Sequence, residues 1–532
     1  MTGALPRVSI VVASAGGSAG QARVLADFAT AGQASHDSEI VVEDGSQGAA
    51  SAWNQGAASA RGEVLLFVRD NLTPSATLVA SHARLHAERH DILGAQPVAW
   101  RFGGSGLADY LARHHQQDLA RLFEGREDPL LRVCCGSAIS VRRDRFRAAG
   151  GFAEGLDWGA EAELALRLTM CGTEVVTLAG PAGERITQGF GEIVAEAEAA
   201  GRASVELYRR APALIRHLEL GGFSASSASA RLLRRALLAV RCPPAALRPL
   251  GTLMPGAAVK RQWHRFLYSY CYWRGVWKAL PDRETRRRLA HGPVILMYHA
   301  LGDRGERPGV YVIPVARFAR QMAWLSRVGY RFSGMDELLR HRGDHRLPPA
   351  RTVVVTFDDG YADNHGLAYP VLRGRGARGT FFVVTRRLDE TNNWDQSGEL
   401  SKRPLLSRAQ VREMIRGGME IGAHSRHHMA LPGLAPEELE QQVAGSRRDL
   451  EGGLGLSASA FAYPYGLHDR ASRDAAEGAG FTGACCSRSG VNDPLVPDYL
   501  LRRVEVRGTD SLLRFALAVW QGRAPRRRKQ RP

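Results

Sequence analysis

Two short apolar runs in the second half of the chain each lead into residues that can bind a metal ion. Thr352–Thr356 is followed by the pair Asp358-Asp359, and Glu420–Ala423 is followed by His424. Apolar runs of this length, separated by helical stretches, are typical of buried parallel strands in α/β folds. Such folds place their active sites at the carboxyl ends of the strands. The pattern therefore predicts that these residues share one edge of a sheet.

The residue types at these two run ends suit a catalytic metal site. One carboxylate and the histidines His424 and His428 can supply three ligands and leave one coordination position open. An i,i+4 pair of histidines lies on one face if this segment is helical. The second carboxylate remains available as a general base for a water molecule. The alternative is an ordinary strand-to-loop turn with surface histidines, but finding both patterns in this order favours the metal site.

Length and composition limit the class of protein. The chain has 532 residues and 44% apolar content, which predicts two or three globular domains. No run of 18 apolar residues occurs, so no transmembrane helix is expected. The N-terminus, Met1–Arg7, lacks the features of a secretory signal, and seven cysteines do not suggest a disulfide framework. We therefore expect a cytoplasmic protein.

The positive charge is concentrated in two segments. Residues 231–290 contain 14 Lys and Arg against two acidic residues, and 523–532 add six more basic residues. Anionic lipid headgroups or nucleic acid are the expected partners of such segments. Within the first segment, Arg261–Lys278 interleaves basic with aromatic residues. This composition suits packing between domains or a membrane surface, and less well single-stranded nucleic acid.

The pattern of runs predicts four parts. Residues 1–215 alternate apolar runs with Ala-rich helical stretches, which indicates an open α/β sheet. Residues 216–289 are predicted to be a basic aromatic helical linker. Residues 290–515 form a second α/β domain with helices expected at 315–328, 407–416 and 436–451, and residues 516–532 are a basic tail.

The second domain resembles the polysaccharide deacetylases of the NodB-homology type, carbohydrate esterase family 4. The resemblance rests on Thr356–Tyr361, Gly422–His428, Phe461–Gly466 and the opening Leu296–Gly302, and it spans roughly residues 290–510. It implies a distorted (β/α) barrel. It also implies that Asp359, His424 and His428 bind a divalent metal, usually zinc.

The same resemblance implies roles for four further residues. Asp358 would be the base that deprotonates the attacking water, and His299 would be the acid that protonates the leaving amine. A backbone N–H near Tyr465 would help to stabilise the tetrahedral oxyanion. Arg503 matches an arginine that orients the base. The arginine of the family's third motif is absent, because Ala462 and Tyr463 stand there.

Residues 5–180 resemble family 2 glycosyltransferases of the GT-A fold. The matching text includes Val8–Val12, Glu39–Ser46, Asn54–Glu63, Gly150–Phe152 and Trp158–Arg167. The resemblance implies that Asp44 contacts the nucleobase or ribose and that Glu161 is the base for the acceptor hydroxyl. Where the family has a metal-binding DxD, this chain reads Arg69-Asp70-Asn71, so Asp70 alone supplies a carboxylate for Mg²⁺ or Mn²⁺.

These patterns together predict a bifunctional glycan-modifying enzyme. Its second domain would remove acetyl groups from N-acetylated sugars of a glycan or lipid-linked sugar, peripherally at the inner face of the cell membrane. Its first domain would bind a nucleotide sugar, with or without transfer. Two alternatives stay open, a glycan- or lipid-binding scaffold with a decayed transferase half and an O-acetyl esterase. Nucleic acid is the least expected partner.

Overall fold

The computed structural model describes residues 5–14, 17–30, 38–103, 106–123, 130, 137–156, 158–280, 282–303, 305–395 and 398–522. The basic tail from Arg523 to Pro532 and the pair Cys134-Cys135 lie outside these ranges. The chain forms two compact units, which we call the first unit (Met1–Leu220 and Leu232–Pro281) and the second unit (Gly221–Arg231 and Asp282–Pro532). The segment 216–289, which we expected to be a linker, is thus shared between the two units.

The first unit contains a six-stranded sheet. Its strands are β1 (Val8–Ser14), β2 (Ser38–Asp44), β3 (Val64–Arg69), β5 (Ile92–Gln96), β7 (Ala138–Arg142) and β8 (Glu174–Thr177), in the order β2-β1-β3-β7-β5-β8. A second, three-stranded sheet contains β4 (Thr73–Pro74), β6 (Ala99–Gly103) and β9 (Gly183–Gln188). Because β1 runs parallel to both β2 and β3, the residues that end these three strands meet at one edge.

Helices of the first unit carry most of its remaining described residues. They span Gly17–Thr30, Ala49–Ser59, Leu78–Glu88, Leu107–Phe123, Arg143–Ala148, Ala160–Met170, Phe190–Arg210, Ala228–Ala239, Pro244–Leu247, Leu250–Leu253 and Gly256–Ala279, of which Ala228–Ala239 begins in the second unit. The last of them holds the basic aromatic sequence.

That helix packs closely against Phe190–Arg210. A Cβ atom on Gly201 would lie 2.1 Å from the carbonyl oxygen of Tyr272, and one on Gly275 would lie 2.0 Å from that of Glu198. Only glycine allows two helix backbones to approach so closely. Tyr272 is 4% exposed and Trp273 is 1% exposed. Of the alternatives for the basic aromatic segment, the structure shows packing of these central aromatic side chains, and it does so inside the first unit.

The second unit is built on a nearly closed barrel of parallel strands. Its strands are β10 (Val294–Tyr298), β13 (Arg331–Ser333), β14 (Thr352–Phe357), β15 (Thr380–Val383), β16 (Glu420–Ala423), β17 (Ala460–Ala462), β18 (Gly483–Cys485) and β19 (Arg503–Glu505). The main path runs β18-β17-β16-β15-β14-β10-β19, and β13 pairs with the start of β14. Backbone hydrogen bonds join Leu501, just before β19, to Ala484 and Cys486, and thereby bring the two ends of the path together. The expected α/β barrel is therefore present in the second unit.

A short parallel pair, β11 (Ala300–Gly302) and β12 (Val312–Pro314), follows β10. The helices of this unit span Arg283–Ala290, Val315–Arg327, Met335–Gly343, Tyr369–Arg373, Arg408–Arg416, Pro436–Leu454, Arg470–Gly478 and Leu512–Gln521. The three helices expected from the sequence in this domain are confirmed.

Strand β14 is buried on both faces, which explains the three consecutive valines at its centre. Val353, Val355 and Phe357 pack in the cluster that includes Phe318 of a surrounding helix, whereas Val354 packs in a separate cluster. A strand covered on both sides loses the alternation of polar and apolar residues that marks a half-exposed strand.

Two other sequence expectations can be compared with the described residues. Within those ranges, no helix is both long enough and apolar enough to cross a bilayer. The five described cysteines, Cys171, Cys242, Cys271, Cys485 and Cys486, are all free thiols.

Candidate metal centre and active site

Asp359, His424 and His428 meet at the carboxyl ends of β14 and β16. The Oδ1 atom of Asp359 lies 3.3 Å from Nε2 of His424 and 3.1 Å from Nε2 of His428. One candidate ligand atom from each residue lies within 4.8 Å of the other two, and all three residues are buried. The two runs identified in the sequence thus bring their polar ends together in space.

The chemistry of these three side chains fits a divalent cation. Nδ1 of His424 lies 2.8 Å from the carbonyl oxygen of Ala462, which can only accept a hydrogen bond. Nδ1 therefore carries a proton, and Nε2, which faces Asp359, is the nitrogen that can bind a metal ion. Imidazole nitrogens with one carboxylate oxygen are ligands that zinc and related ions accept, with a position left open.

Asp359, His424 and His428 strongly affect one another's pKa values when no metal ion is bound. Burial raises the pKa of the Asp359 carboxyl, but His428 and His424 outweigh this and hold it well below its usual value. Burial lowers the pKa of His424, but the hydrogen bond and charge of Asp359 outweigh this and raise it. The site therefore keeps its carboxylate ionised.

Left-handed backbone conformations, and not a helix, orient these side chains. Positive φ angles occur at Asp359 (71°), Ser425 (61°), His428 (59°) and Tyr465 (60°). Residues 424–428 are not helical, so no helix face aligns His424 and His428; the His428 amide instead donates to Ser425 Oγ. Such uncommon conformations cluster at functional sites, where surrounding contacts hold them.

Asp358 lies beside this centre and is held by Arg503. Two guanidinium nitrogens of Arg503 donate to the two oxygens of Asp358 at 2.6 and 2.8 Å. The side chain of Asp358 is 5% exposed and that of Arg503 is 1% exposed. Burial raises the pKa of Asp358, but the Arg503 guanidinium and nearby histidines outweigh this and lower it. This bidentate pair fixes both the charge and the orientation of the carboxylate.

His299 follows β10 and is half-buried. Its carbonyl oxygen accepts a hydrogen bond from Asn364 Nδ2 at 2.9 Å, and Asp363 Oδ1 accepts one from the Leu301 amide at 2.7 Å. Arg403 in turn donates to Asp363 Oδ2 at 2.6 Å and to the Leu301 carbonyl at 2.7 Å. The backbone on both sides of His299 is therefore fixed. His299 is among the groups that lower the pKa of Asp358 and Asp359.

The structure adds residues that the sequence analysis did not single out for the site. Tyr361 interacts with Asp359, and its hydroxyl accepts a hydrogen bond from Asn392 at 3.0 Å. The ring of Trp394 lies 4.6 Å from that of His428, and the 52% exposed Tyr465 lies 4.5 Å from it on centroids. Tyr361 belongs to the stretch Thr356–Tyr361 that carried the family resemblance, so the sequence could have indicated it. No sequence pattern marks Asn392 or Trp394.

The candidate residues of the first unit lie at the carboxyl edge of β1, β2 and β3. The carboxylate of Asp44 accepts hydrogen bonds from the amide and hydroxyl of Ser46, which lower its pKa. Asp70 Oδ2 accepts one from Ser14 at 3.2 Å. Arg69 contacts the buried Glu161 at 3.1 Å. Among the described residues, Asp359, His424 and His428 are the one group of three or more metal-ligating side chains.

Comparison with known proteins shows which proteins the second unit is similar to. Residues 345–484 match the family model described as polysaccharide deacetylase. The Bacillus subtilis (strain 168) protein named "Putative polysaccharide deacetylase YxkH" is 27% identical over 212 residues, which are 40% of this chain and 70% of the relative. The poly-beta-1,6-N-acetyl-D-glucosamine N-deacetylase of Staphylococcus aureus (strain MRSA252) is 23% identical over 223 residues, which are 40% of this chain and 73% of the relative.

Solved structures give similar coverage. IcaB from Ammonifex degensii is 28% identical with a TM-score of 0.38, and the match covers 43% of this chain and 97% of that chain. The Streptococcus pyogenes deacetylase PplD in complex with acetate is 23% identical with a TM-score of 0.38, over 43% of this chain and 98% of that chain. On the family match, residues 345–484 form a polysaccharide deacetylase domain.

Proposed function

We propose that the second unit is a metal-dependent de-N-acetylase that acts on N-acetylated sugars in a glycan. The observation that carries this proposal is the pair of adjacent aspartates with different surroundings. Asp359 faces two imidazoles, whereas Asp358 is held as a carboxylate by Arg503. Two neighbouring acids with separate partners suit separate roles, one in metal binding and one in proton transfer. The family match of residues 345–484 and the deacetylase relatives support the same activity.

The residues of this chain then have distinct tasks. Asp359, His424 and His428 would hold the cation, with zinc as the ion best suited to these ligands. When bound, such an ion lowers the pKa of water and polarises the acetamide carbonyl. Asp358 takes the proton of the attacking water, and His299 protonates the leaving amine. A backbone N–H near Tyr465 donates to the oxyanion.

Metal removal tests this proposal. We expect the purified protein to contain about one divalent ion per chain, because the site offers three ligands. Chelation should abolish acetate release from N-acetylglucosamine oligomers, and added Zn²⁺ should restore it. The variant His424→Ala should lose both the ion and the activity. Acetate release that persists in protein shown by mass spectrometry to be metal-free would reject the proposal.

An ester substrate separates the proposed activity from O-acetyl esterase activity. An amine leaves poorly unless it is protonated, whereas an alcohol leaves more readily. His299→Ala should therefore slow the release of acetate from N-acetylated sugars more than from O-acetylated ones. Equal rates on both substrates with equal sensitivity to His299→Ala would favour the esterase.

For the first unit we propose binding of a nucleotide sugar, with sugar transfer or with binding alone. The support is the placement of Asp44 and Asp70 at one sheet edge, with Glu161 tied to Arg69 nearby. Titration calorimetry with nucleoside diphosphate sugars, with and without Mg²⁺ or Mn²⁺, tests this assignment. We expect Asp44→Ala to weaken binding, and undiminished affinity in that variant would remove the assigned role. If no nucleotide sugar binds, the scaffold alternative gains support.

A further inference from the structure

A long stretch of the first unit has no negative charge. Its residues 232–281 contain no Asp or Glu but nine Lys and Arg, of which Arg274 and Lys278 pair with Glu198 of another helix. A soluble surface usually mixes charges of both signs. The absence of carboxylates over this length therefore favours a negatively charged partner.

The same stretch exposes much of the apolar surface of the first unit. Nine large apolar side chains are exposed among the described residues of that unit, and six of them lie between residues 232 and 259. These six are Leu232 (55% exposed), Leu233 (42%), Val240 (73%), Leu250 (37%), Leu253 (75%) and Val259 (41%). We call residues 232–261 the basic apolar surface. Its exposed apolar residues are concentrated in sequence, whereas exposed apolar residues that occur singly are normal.

Prolines account for the exposure of Leu250 and Leu253. Pro243, Pro244, Pro249 and Pro255 divide the chain, so that residues 244–247 and 250–253 form single helical turns before the helix Gly256–Ala279 begins. Turns this short cannot bury a continuous apolar stripe. Leu250 and Leu253 are therefore exposed, with Arg248 and Lys260 exposed close to them in sequence.

The helix Gly256–Ala279, which continues from this surface, is itself largely buried at its centre. Tyr270, Cys271, Tyr272 and Trp273 are at most 4% exposed, and the helix is packed against Phe190–Arg210 through Gly201 and Gly275. The aromatic residues at the centre of this helix are thus used for packing, and the exposed groups that precede it are available for contact.

We propose that the basic apolar surface docks on an anionic lipid membrane. Apolar side chains enter the boundary between headgroups and acyl chains, while Arg and Lys attract anionic headgroups. A second copy of this chain is a poorer partner, because two acid-free basic surfaces repel each other. Nucleic acid would use the cations but would not need the exposed leucines. This inference is independent of the deacetylase activity proposed above.

Co-sedimentation of the full chain with vesicles tests this docking. The probes are vesicles of phosphatidylcholine alone and of phosphatidylcholine mixed with phosphatidylglycerol. We expect binding to the mixed vesicles only, decreasing as salt is added. The double variant Leu250→Ser, Leu253→Ser and the double variant Arg248→Glu, Lys260→Glu should each weaken binding at least about tenfold.

Matched controls come from the same unit. Met170→Ser removes an 80% exposed apolar side chain outside the surface, and Arg61→Glu with Arg84→Glu reverses two exposed charges elsewhere. These controls should bind vesicles nearly as the unaltered protein does. All variants should release acetate from soluble oligomers at an unchanged rate, which separates this test from that of the deacetylase.

Three results would overturn the docking. One is failure of the unaltered protein to bind the mixed vesicles. Another is an equal loss of binding in the surface variants and their controls, which would indicate general charge attraction. The third is self-association in analytical ultracentrifugation that Leu250→Ser, Leu253→Ser abolishes while vesicle binding persists, which would identify a second copy as the partner.

Discussion

The variant Asp358→Asn is expected to lower kcat/KM for acetate release by about 10²- to 10⁴-fold, the usual contribution of a positioned general base. Asparagine keeps the shape of the side chain but cannot accept the proton of the attacking water. The measurement is acetate release from N-acetylglucosamine oligomers at saturating Zn²⁺.

Metal content is the control for this variant. Asp359, His424 and His428 are unchanged, so Asp358→Asn should keep its ion, whereas His424→Ala should lose it. Loss of activity with retained metal assigns Asp358 to proton transfer. A variant that retains both the metal and the rate of the unaltered protein would contradict the role assigned to this carboxylate.

The variant Arg503→Met should change both stability and the pH dependence of the reaction. Asp358 would remain buried without its partner, and loss of one member of a buried ion pair typically costs about 3–5 kcal/mol of unfolding free energy. Burial raises the pKa of Asp358, and Arg503 is the first of the groups that offset this effect. Without Arg503 the pKa should rise, so the acidic limb of the pH–rate profile should move to higher pH.

Arg342→Met is a matched control for this effect. Arg342 is also buried in the second unit and pairs with Asp498, which is not among the site residues. Its loss should lower stability without moving the acidic limb. An unshifted limb in Arg503→Met would show that Arg503 does not set the charge of Asp358.

The pH dependence of stability in the unaltered protein follows from the same pair. The pKa of Asp358 is lower in the folded protein than its usual value of 3.8. The unfolded chain therefore binds the proton more readily, and the contribution of this carboxylate is fully present above pH 3.8. It is lost as the pH falls below 3.8 and through the folded-state pKa, which thermal unfolding of the metal-free protein over this acidic range would follow.

The candidate metal ligands could be identified from the sequence because each follows a strand with a strong local signature. Residues 353–355 before Asp359 and 421–423 before His424 are buried, and both stretches consist of apolar residues. Parallel strands bring such ends to one edge whatever the details of the helices between them. Residue type and order were therefore sufficient to propose one carboxylate and two histidines, and the family resemblance assigned the carboxylate to Asp359.

Local sequence could not determine how the two histidines are oriented. Their i,i+4 spacing suggested a helix, but Ser425 and His428 adopt left-handed conformations in a turn. A spacing of four is compatible with either conformation. The choice depends on contacts with distant residues, such as the hydrogen bond from His424 to the Ala462 carbonyl on β17.

The sequence by itself determined that this chain contains α/β units, where several strands end and which residues there can bind a metal. The sequence alone also shows that residues 220–281 lack acidic residues, since amino-acid composition does not depend on the fold. Only the tertiary structure pairs Arg503 with Asp358, which lies 145 residues away along the chain. It also places Trp394 and Asn392 at the border of the site. It also buried Tyr272 and Trp273 while leaving Leu250 and Leu253 exposed. The physical reason is that sequence patterns of strands and helices reflect the burial of each segment separately. The contacts between distant segments depend on which strands the barrel brings together and on which helices pack against each other.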